Sequence, residues 1–290
     1  TTMISRQAVV SFWAAHLGCS AAQLAQPRTT VVRNGPDLAD YRGATIVFRP
    51  PACVLAVPED WYERIAGRVG QRLPAEVFDV SLVHQVFGSA VDRVIGPAWL
   101  GYADASDLRP APTMGTRLLA GQDLAELERL AAACGTLSWE HSGIDPARPP
   151  IFGCFAGEVL AAAGMLDRWG DRLLHLGIVT HPRYRGRGYG RAVVSAMAAY
   201  GLAMGGVLQY RTLEANLPSL AIARALGFQR FALTLAGALG YGGPCFPRDN
   251  VAFAALDKNT GKVIWKQTGI QYPPVHGNGG SPALVGDKLI

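Results

Sequence analysis

The stretch HPRYRGRGYGRA, residues 181–192, decides the fold of this chain. Its glycines at 186, 188 and 190 alternate with arginines and tyrosine, and it joins a predicted strand ending in VT to a predicted helix at 190–204. Glycines let the backbone curl so that several N–H groups converge, and the first turn of a helix adds partial positive charge. The sequence therefore predicts a phosphate or pyrophosphate site at a strand-to-helix junction.

Three other kinds of anion site fit this stretch poorly. A dinucleotide fold has GxGxxG after its first strand, whereas here the spacing is GxGxG and about five elements precede it. A P-loop ends in GKS or GKT, but Gly190 is followed by Arg191. Nucleic-acid binding needs aromatic platforms or a second basic stripe, and the sequence shows neither.

The segments around this stretch have clear periodicities. Leucines at helical spacing predict a helix near 121–134, and apolar runs broken by turns predict three strands between 151 and 180. A strand at VLQYRTL, a helix at LPSLAIARALGF and a last strand at 230–235 follow. The order predicts a mixed α/β (α+β) domain.

Two motifs in this region resemble those of the GNAT acetyltransferase superfamily. Arg185 to Gly190 match its R/Q-x-x-G-x-G/A signature, and Asn216 to Ser219 with Ala225 to Phe228 are similar to its second motif. The resemblance covers about residues 114–236. It implies a GNAT acyltransferase fold, acetyl-CoA as co-substrate, and direct attack of a primary amine on the thioester.

The resemblance also implies roles for individual residues. The backbone of Arg185, Gly186, Arg187, Gly188, Tyr189 and Gly190 would hold the pyrophosphate. The strand at 174–180, ending in Val179 and Thr180, would pair with the pantetheine arm and present an N–H to the thioester carbonyl. Asn216 would lie beside the pantetheine.

The proton-transfer groups are less well marked. Many family members have an acid tyrosine four residues before the Gly-Phe pair, but this chain has Ala223 there, so the acid is unassigned. For the base we expect Glu140, in SWEHSG, with His181 second; Glu158 and His175 are further candidates.

The length of 290 residues predicts two domains, with a linker at DLRPAPTMG, residues 107–115. We expect an N-terminal α/β domain at 1–110 that forms one wall of the acceptor cleft, and the acetyltransferase domain at 114–236. Trp99 and Tyr102 would offer flat faces to the acceptor, and Asp104 and Asp107 would attract an amine. The alternative is that the rings are core and the aspartates cap a turn.

The composition bounds the partners and the setting. A net charge of +5, with scattered positive residues, is weak evidence for nucleic-acid binding. Five cysteines without a CxxC pair predict no zinc or other metal site and a reducing, cytoplasmic setting. The run AVVSFWAAHLGC fits an amphipathic helix near 5–17 better than a signal peptide, and no run is long enough to cross a membrane.

The last fifty residues resemble other families. GYGGPCFPRDN, residues 240–250, resembles the active-site segment of nucleotide-sugar dehydrogenases, with Cys245 as nucleophile, and residues 255–290 resemble one blade of a quinoprotein-like β-propeller. We expect a fused or read-through tail at 237–290 that contains a hairpin at 251–267 and takes no part in acetyl transfer. The alternative is that the hairpin covers a sheet edge or pairs with a second subunit in a homodimer.

The sequence indicates the chemical class of the acceptor only in outline. A small-molecule amine is the first expectation. Because the junction of unrelated fragments is typical of shotgun-cloned DNA, it favours an aminoglycoside-like antibiotic and an enzyme found by selection for antibiotic resistance. The alternatives are a protein or peptide N-acetyltransferase and a non-catalytic coenzyme-A-binding sensor.

Overall fold

The computed structural model of the chain describes residues 2–88, 91–169 and 172–239, together with the backbone of four short strands further along. The chain divides into two compact units, Thr1–Gly243 and Pro244–Ile290, which are described separately.

The first unit contains eight helices and ten strands within its described residues. The helices are α1 Thr2–Leu17, α2 Tyr62–Val69, α3 Pro74–Val77, α4 Val80–Phe87, α5 Leu124–Cys134, α6 Thr136–Ser142, α7 Tyr189–Ala203 and α8 Leu217–Ala225. The strands are β1 Thr29–Arg33, β2 Gly43–Arg49, β3 Ala52–Val57, β4 Val91–Ala103, β5 Arg117–Leu118, β6 Ile151–Ala156, β7 Val159–Trp169, β8 Leu173–Thr180, β9 Val207–Leu213 and β10 Gln229–Leu239.

All ten strands form one sheet in the order β1-β3-β2-β10-β4-β9-β8-β7-β6-β5. The last strand in sequence, β10, lies between β2 and β4 and pairs antiparallel with both. Strand β4 in turn pairs antiparallel with β9. The division into domains at 1–110 and 114–236 stays a prediction, but the strands of both stretches belong to the same sheet.

Three clusters of buried side chains hold helices against the sheet. Helices α7 and α8 pack on β6 to β9 around Val193 and Met197, both fully buried. Helix α5 packs around Leu127 and Leu130 on β6 to β8. Helices α2 and α4 pack on β2 and β3. Each fully buried aliphatic side chain contributes about 1.5–3 kcal/mol to folding, so these clusters fix which helix covers which strands.

The mixed α/β fold class is confirmed, and each element predicted after residue 120 is present, with α6 as a further helix that was not predicted. The helix predicted at 5–17 is α1, and the Pro50-Pro51 turn joins β2 to β3. Residues 96–103, predicted to form part of the acceptor wall, are the second half of β4, and residues 98–103 are buried on both faces of the sheet.

In the second unit, strands β11 Val251–Leu256 and β12 Val263–Ile270 pair antiparallel, as expected of the predicted hairpin. Strands β13 Leu284–Val285 and β14 Lys288–Leu289 form another antiparallel pair. The dehydrogenase-like segment at 240–250, with Cys245, lies outside the described residues. The two family resemblances of the tail therefore stay predictions.

Among the helices described, none combines the length and the apolar character that crossing a lipid bilayer requires.

Candidate functional site

The arginine-glycine loop joins the end of β8 to the start of α7. Gly186 and Gly188 have φ angles of 75° and 88°, in the left-handed region that glycine adopts without a steric penalty. Gly188 is the N-cap of α7, so the chain turns directly into the helix and the free N–H groups of its first turn lie at the loop. The backbone path therefore favours glycine at both positions.

The loop side chains leave the glycine backbone open. The Nε of Arg185 donates to the carbonyl oxygen of Thr180 at 3.3 Å, and His181 Nδ1 accepts from the backbone N–H of Arg183 at 3.1 Å. A Cβ on Gly186 would meet no atom within 4 Å. The loop thus combines an accessible backbone with exposed arginine side chains, the features that a phosphate group requires.

Gly190 fixes the start of α7 against the sheet and α8. A Cβ there would lie 2.7 Å from Thr180 Oγ1 and 3.4 Å from Ile222 Cδ1. Ile222 belongs to α8, so the end of β8, the start of α7 and α8 meet at this point. Any larger residue at 190 would push these three elements apart.

Strands β8 and β9 separate beside this junction. They pair in parallel at three positions, and the last is His175 with Gln209. Beyond it, β8 stays paired with β7 up to Thr180, and β9 stays paired with β4 up to Leu213. The space between residues 176–180 and 210–213, here called the wedge, therefore opens toward the loop. Its closed end, at His175, lies about 17 Å from Thr180 at the usual strand rise.

Helix α8 covers one side of the wedge. Asn216 is its N-cap, and the Oδ1 of Asn216 accepts from the N–H of Ser219 at 3.3 Å. The hydroxyl groups of Ser219 and Tyr210 lie 2.9 Å apart, and burial raises the pKa of Tyr210 to about 12. A pair of protonated hydroxyl groups therefore lies between α8 and β9.

A second group of polar side chains lies on the opposite face of the sheet, under α1. The hydroxyl of Tyr102 accepts from Trp13 Nε1 at 2.6 Å and from Gln209 Nε2 at 2.7 Å. His175 stacks on Trp169, with ring centroids 5.2 Å apart. We call His16, Tyr102, His175, Gln209 and Arg211 the α1-face cluster.

The electrostatics of the α1-face cluster are set by burial and by Arg211. Burial and, to a smaller extent, the charge of Arg211 lower the pKa of His175 to about 4, against a hydrogen bond with Gln209 that raises it. Burial likewise lowers the pKa of His16 against its hydrogen bond to Asp37, and Arg211 adds to the lowering. Both imidazoles are therefore neutral at pH 7, next to a guanidinium.

The predicted acceptor wall needs correction. Trp99 and Tyr102 are buried, with 4% and 7% of their surface exposed: Trp99 packs in the core with α7 and α8, and Tyr102 packs against Trp13 and Gln209. Asp104 is also buried, and its Oδ1 accepts from the N–H of Ser106 at 2.8 Å, so it closes the turn after β4. The three residues belong to the packed interior. Tyr102 belongs to the α1-face cluster through the hydrogen bonds of its hydroxyl group alone.

The structure separates the two predicted bases. Glu140 is exposed on α6, which packs against β8 through a contact of Ser142 with Gly177 in the middle of that strand. His181 lies at the loop end of β8, about 20 Å along the strand from the closed end of the wedge. Glu158 is in the β6–β7 turn, also near the loop end. Of these three, Glu140 lies nearest the middle of β8.

Sequence reasoning missed two sets of residues. Gln209 and Arg211 alternate along β9, and the period of a strand could have predicted that they share one face. Their neighbours come from β4, β8 and α1, which no local pattern indicates. Met114, in the predicted linker, has a φ angle of 48°, and its sulfur would lie 3.6 Å from a Cβ on Gly188. No local pattern predicts that this segment reaches the loop.

Residues 119–228 match the model of the acetyltransferase (GNAT) family. No curated protein sequence matches the chain.

Solved structures similar to the chain include a GNAT-family protein from Novosphingobium aromaticivorans DSM 12444 (24% identity, 51% of this chain and 65% of that chain, TM-score 0.41). Two others are an acetyltransferase from the GNAT family of Colwellia psychrerythraea (16% identity, 51% and 58%, TM-score 0.43) and a GCN5-related N-acetyltransferase from Kribbella flavida (17% identity, 55% and 64%, TM-score 0.40). The chain thus spans less than two thirds of the length of these proteins. The stretch that matches the acetyltransferase (GNAT) family model, residues 119–228, includes both the loop and the wedge.

Proposed function

We propose that the chain is an acetyl-CoA-dependent N-acetyltransferase that acetylates a primary amine of a small molecule by direct attack in a ternary complex. The observation that carries this proposal is the junction of β8, the arginine-glycine loop and α7 beside the wedge. An anion site at one end of a gap between two strands suits a ligand that has a pyrophosphate at one end and a long, narrow arm.

The residues present suit acetyl-CoA. The backbone N–H groups of residues 185–190, with the first turn of α7, would hold the pyrophosphate, and the exposed Arg185 and Arg187 side chains add positive charge. The pantetheine arm would follow β8, whose wedge-facing backbone groups from 176 to Thr180 are turned away from β7. One of these N–H groups would stabilise the negative charge that develops on the thioester oxygen.

Breaking the thioester also requires help for the departing sulfur. Because Ala223 stands where a tyrosine acid is common in the family, another donor must act here. The Ser219 hydroxyl, hydrogen-bonded to Tyr210 at 2.9 Å, is a donor at the α8 side of the wedge. A tyrosine whose pKa burial raises to about 12 stays protonated and can donate to Ser219 at any working pH.

For the base, Glu140 stays our first candidate and His181 the second. The position of α6 against the middle of β8 supports Glu140 as the base. The location of His181 at the loop end of β8 weighs against His181 in this role. Among small-molecule amines, we propose an aminoglycoside-like acceptor. A protein or peptide acceptor is the enzymatic alternative.

The test combines two measurements on the full chain. Calorimetry with acetyl-CoA measures coenzyme binding, and a thiol-release assay over amines, aminoglycosides and peptides measures turnover. We expect saturable binding and amine-dependent thiol release. Coenzyme binding without release on any acceptor would favour a non-catalytic sensor, and absence of binding would refute the proposal.

A further inference from the structure

We infer that Met114 is part of the coenzyme site and that its thioether packs against the adenine ring of acetyl-CoA. The inference rests on the proposed function, because it assigns a contact to the half of the coenzyme that stays outside the wedge. It starts from residues 107–116, here called the strap, which lie between β4 and β5 and have no part in the roles given above.

Hydrogen bonds fix the strap against α7 and β6. The buried hydroxyl of Ser195, on α7, accepts from the N–H of Ala111 at 2.9 Å and donates to the carbonyl oxygen of the same residue at 3.0 Å. The thiol of Cys154, buried on β6, donates to the carbonyl oxygen of Met114 at 3.3 Å. The backbone of the strap is therefore held on both sides of the point where the strap turns toward the arginine-glycine loop.

The side chain of Met114 lies at the arginine-glycine loop and is 46% exposed. Its sulfur would lie 3.6 Å from a Cβ on Gly188, the N-cap of α7. Met114 has a φ angle of 48°, in the left-handed region that few residues other than glycine, asparagine and aspartate adopt. The strap thus holds an apolar side chain at an open surface in a costly backbone conformation, and such conformations are concentrated at ligand sites.

The register of the sheet shows on which side of the loop Met114 lies. Cys154 pairs with Ala162, and Ala162 pairs with Thr180, so these three residues lie level with one another on β6, β7 and β8. Because neighbouring strands are about 4.8 Å apart, the anchor of Met114 is about 10 Å from the end of β8. The wedge opens on the other side of β8, toward β9. Met114 and the wedge therefore flank the loop on opposite sides.

A coenzyme whose pyrophosphate is held at the loop extends from it in two directions. The pantetheine arm leaves one phosphate toward the wedge, and the adenosine 3′-phosphate half leaves the other phosphate on the flank that carries Met114. A methionine sulfur makes favourable contacts with flat aromatic rings such as adenine, and its flexible side chain adapts to their shape. The exposed guanidinium groups of Arg185 and Arg187 suit the additional phosphate of this half.

Met114→Gly separates a role in binding from a role in folding. Glycine adopts the left-handed conformation without a steric penalty, and this gain offsets the greater freedom that glycine gives the unfolded chain. We therefore expect an unchanged urea midpoint. The affinity for acetyl-CoA should fall about fivefold to tenfold, because the contact with adenine is lost. A methionine that only packs against the loop predicts the reverse, a lower midpoint with unchanged affinity.

The experiment measures the binding of acetyl-CoA and of its two halves by calorimetry. S-acetyl-4′-phosphopantetheine lacks the nucleotide, and adenosine 3′,5′-bisphosphate lacks the arm. We expect Met114→Gly to weaken the binding of acetyl-CoA and of the bisphosphate by the same factor, and to leave the binding of the phosphopantetheine unchanged. Met114→Asn removes the thioether but keeps a residue that tolerates the left-handed conformation, so it should give the same pattern.

Met204→Gly is the matched control. Met204 is 54% exposed and is the C-cap of α7, so it lies at the opposite end of this helix from Gly188. The two ends are about 24 Å apart at the usual helical rise. The control makes the same substitution in an exposed methionine far from the loop. It should leave the affinities for all three ligands unchanged.

Unchanged acetyl-CoA affinity in the folded Met114→Gly and Met114→Asn variants would overturn the inference and leave coenzyme binding in place. An equal loss for acetyl-CoA and for the phosphopantetheine would also overturn it, because Met114 would then act on the arm or the phosphates. If neither half binds to the parent chain, the acetyl-CoA affinities of the Met114 variants and of Met204→Gly decide alone. Failure of the parent chain to bind acetyl-CoA would instead refute the proposed function.

Discussion

A charge placed in the arginine-glycine loop tests the anion site most directly, and Gly186 is the position for it. Its Cβ direction is open, so a side chain there displaces nothing, but its φ angle of 75° penalises most residues. Asparagine and aspartate tolerate this left-handed conformation best and have nearly the same shape. Gly186→Asn and Gly186→Asp therefore share the steric change and differ only in one negative charge.

The size of the effect follows from Coulomb's law. A unit charge about 7 Å from a phosphate interacts with about 0.6 kcal/mol in water and about 2.4 kcal/mol at an effective dielectric constant of 20. The loop is exposed, so the lower part of this range applies, but a pyrophosphate carries about two charges. We expect Gly186→Asp to weaken acetyl-CoA binding relative to Gly186→Asn by about 1.4–2.8 kcal/mol, or roughly tenfold to a hundredfold.

Calorimetry at low and at moderate salt measures the difference. Because exposed charges are screened, the gap between the two variants should narrow as the salt concentration rises. Both variants should show the circular dichroism spectrum of the parent chain. Equal affinities of the folded Asp and Asn variants at low salt would refute the assignment of the loop to a phosphate.

Four further predictions concern other parts of the structure. Tyr102→Phe leaves two buried N–H donors without their acceptor, so we expect a loss of about 2–4 kcal/mol in the free energy of unfolding, seen as a lower urea midpoint. A histidine of the unfolded chain binds a proton near pH 6.5, whereas folded His175 binds one only near pH 4. The free energy of unfolding should therefore fall by about 1–3 kcal/mol as the pH is lowered from 6.5 to 4. His175→Gln should flatten this part of the stability–pH profile. Ending the chain after Leu239 should preserve acetyl-CoA binding, whereas ending it after Ala236 cuts into β10 and should lower the melting temperature. Glu140→Gln should reduce turnover and leave coenzyme affinity unchanged, and a normal pH-rate profile for this variant would remove Glu140 from the mechanism.

Local patterns predicted the elements around the loop because each has its own signal. The alternating glycines, the apolar period of α7 and the turns between β6, β7 and β8 are properties of short stretches of sequence. The loop residues 185–190 accordingly join β8 to α7, and Asn216 begins α8, whose Ile222 lies beside Gly190. The roles predicted for these residues are those that the family resemblance implies.

The pairing of distant strands had no such signal. Residues 96–103 contain Gly96, Pro97 and Gly101, which are unfavourable inside a strand, yet they form a central strand because β9 and β10 supply partners on both sides. The same pairing buries Trp99 and Tyr102, although the sequence of this segment alone is compatible with both side chains facing a ligand. Partners more than a hundred residues away decided the environment of both side chains.

The position of β10 between β2 and β4 has a consequence for how the chain folds during synthesis. Residues 43–49 and 91–103 leave the ribosome early, but the strand that joins them is made nearly last, at 229–239. Until then both earlier strands have an open edge, which is the usual starting point for pairing between chains. Contacts of such long sequence separation also slow folding. The nascent chain should therefore depend on chaperones until about residue 239, and a pause in translation before that point should increase aggregation.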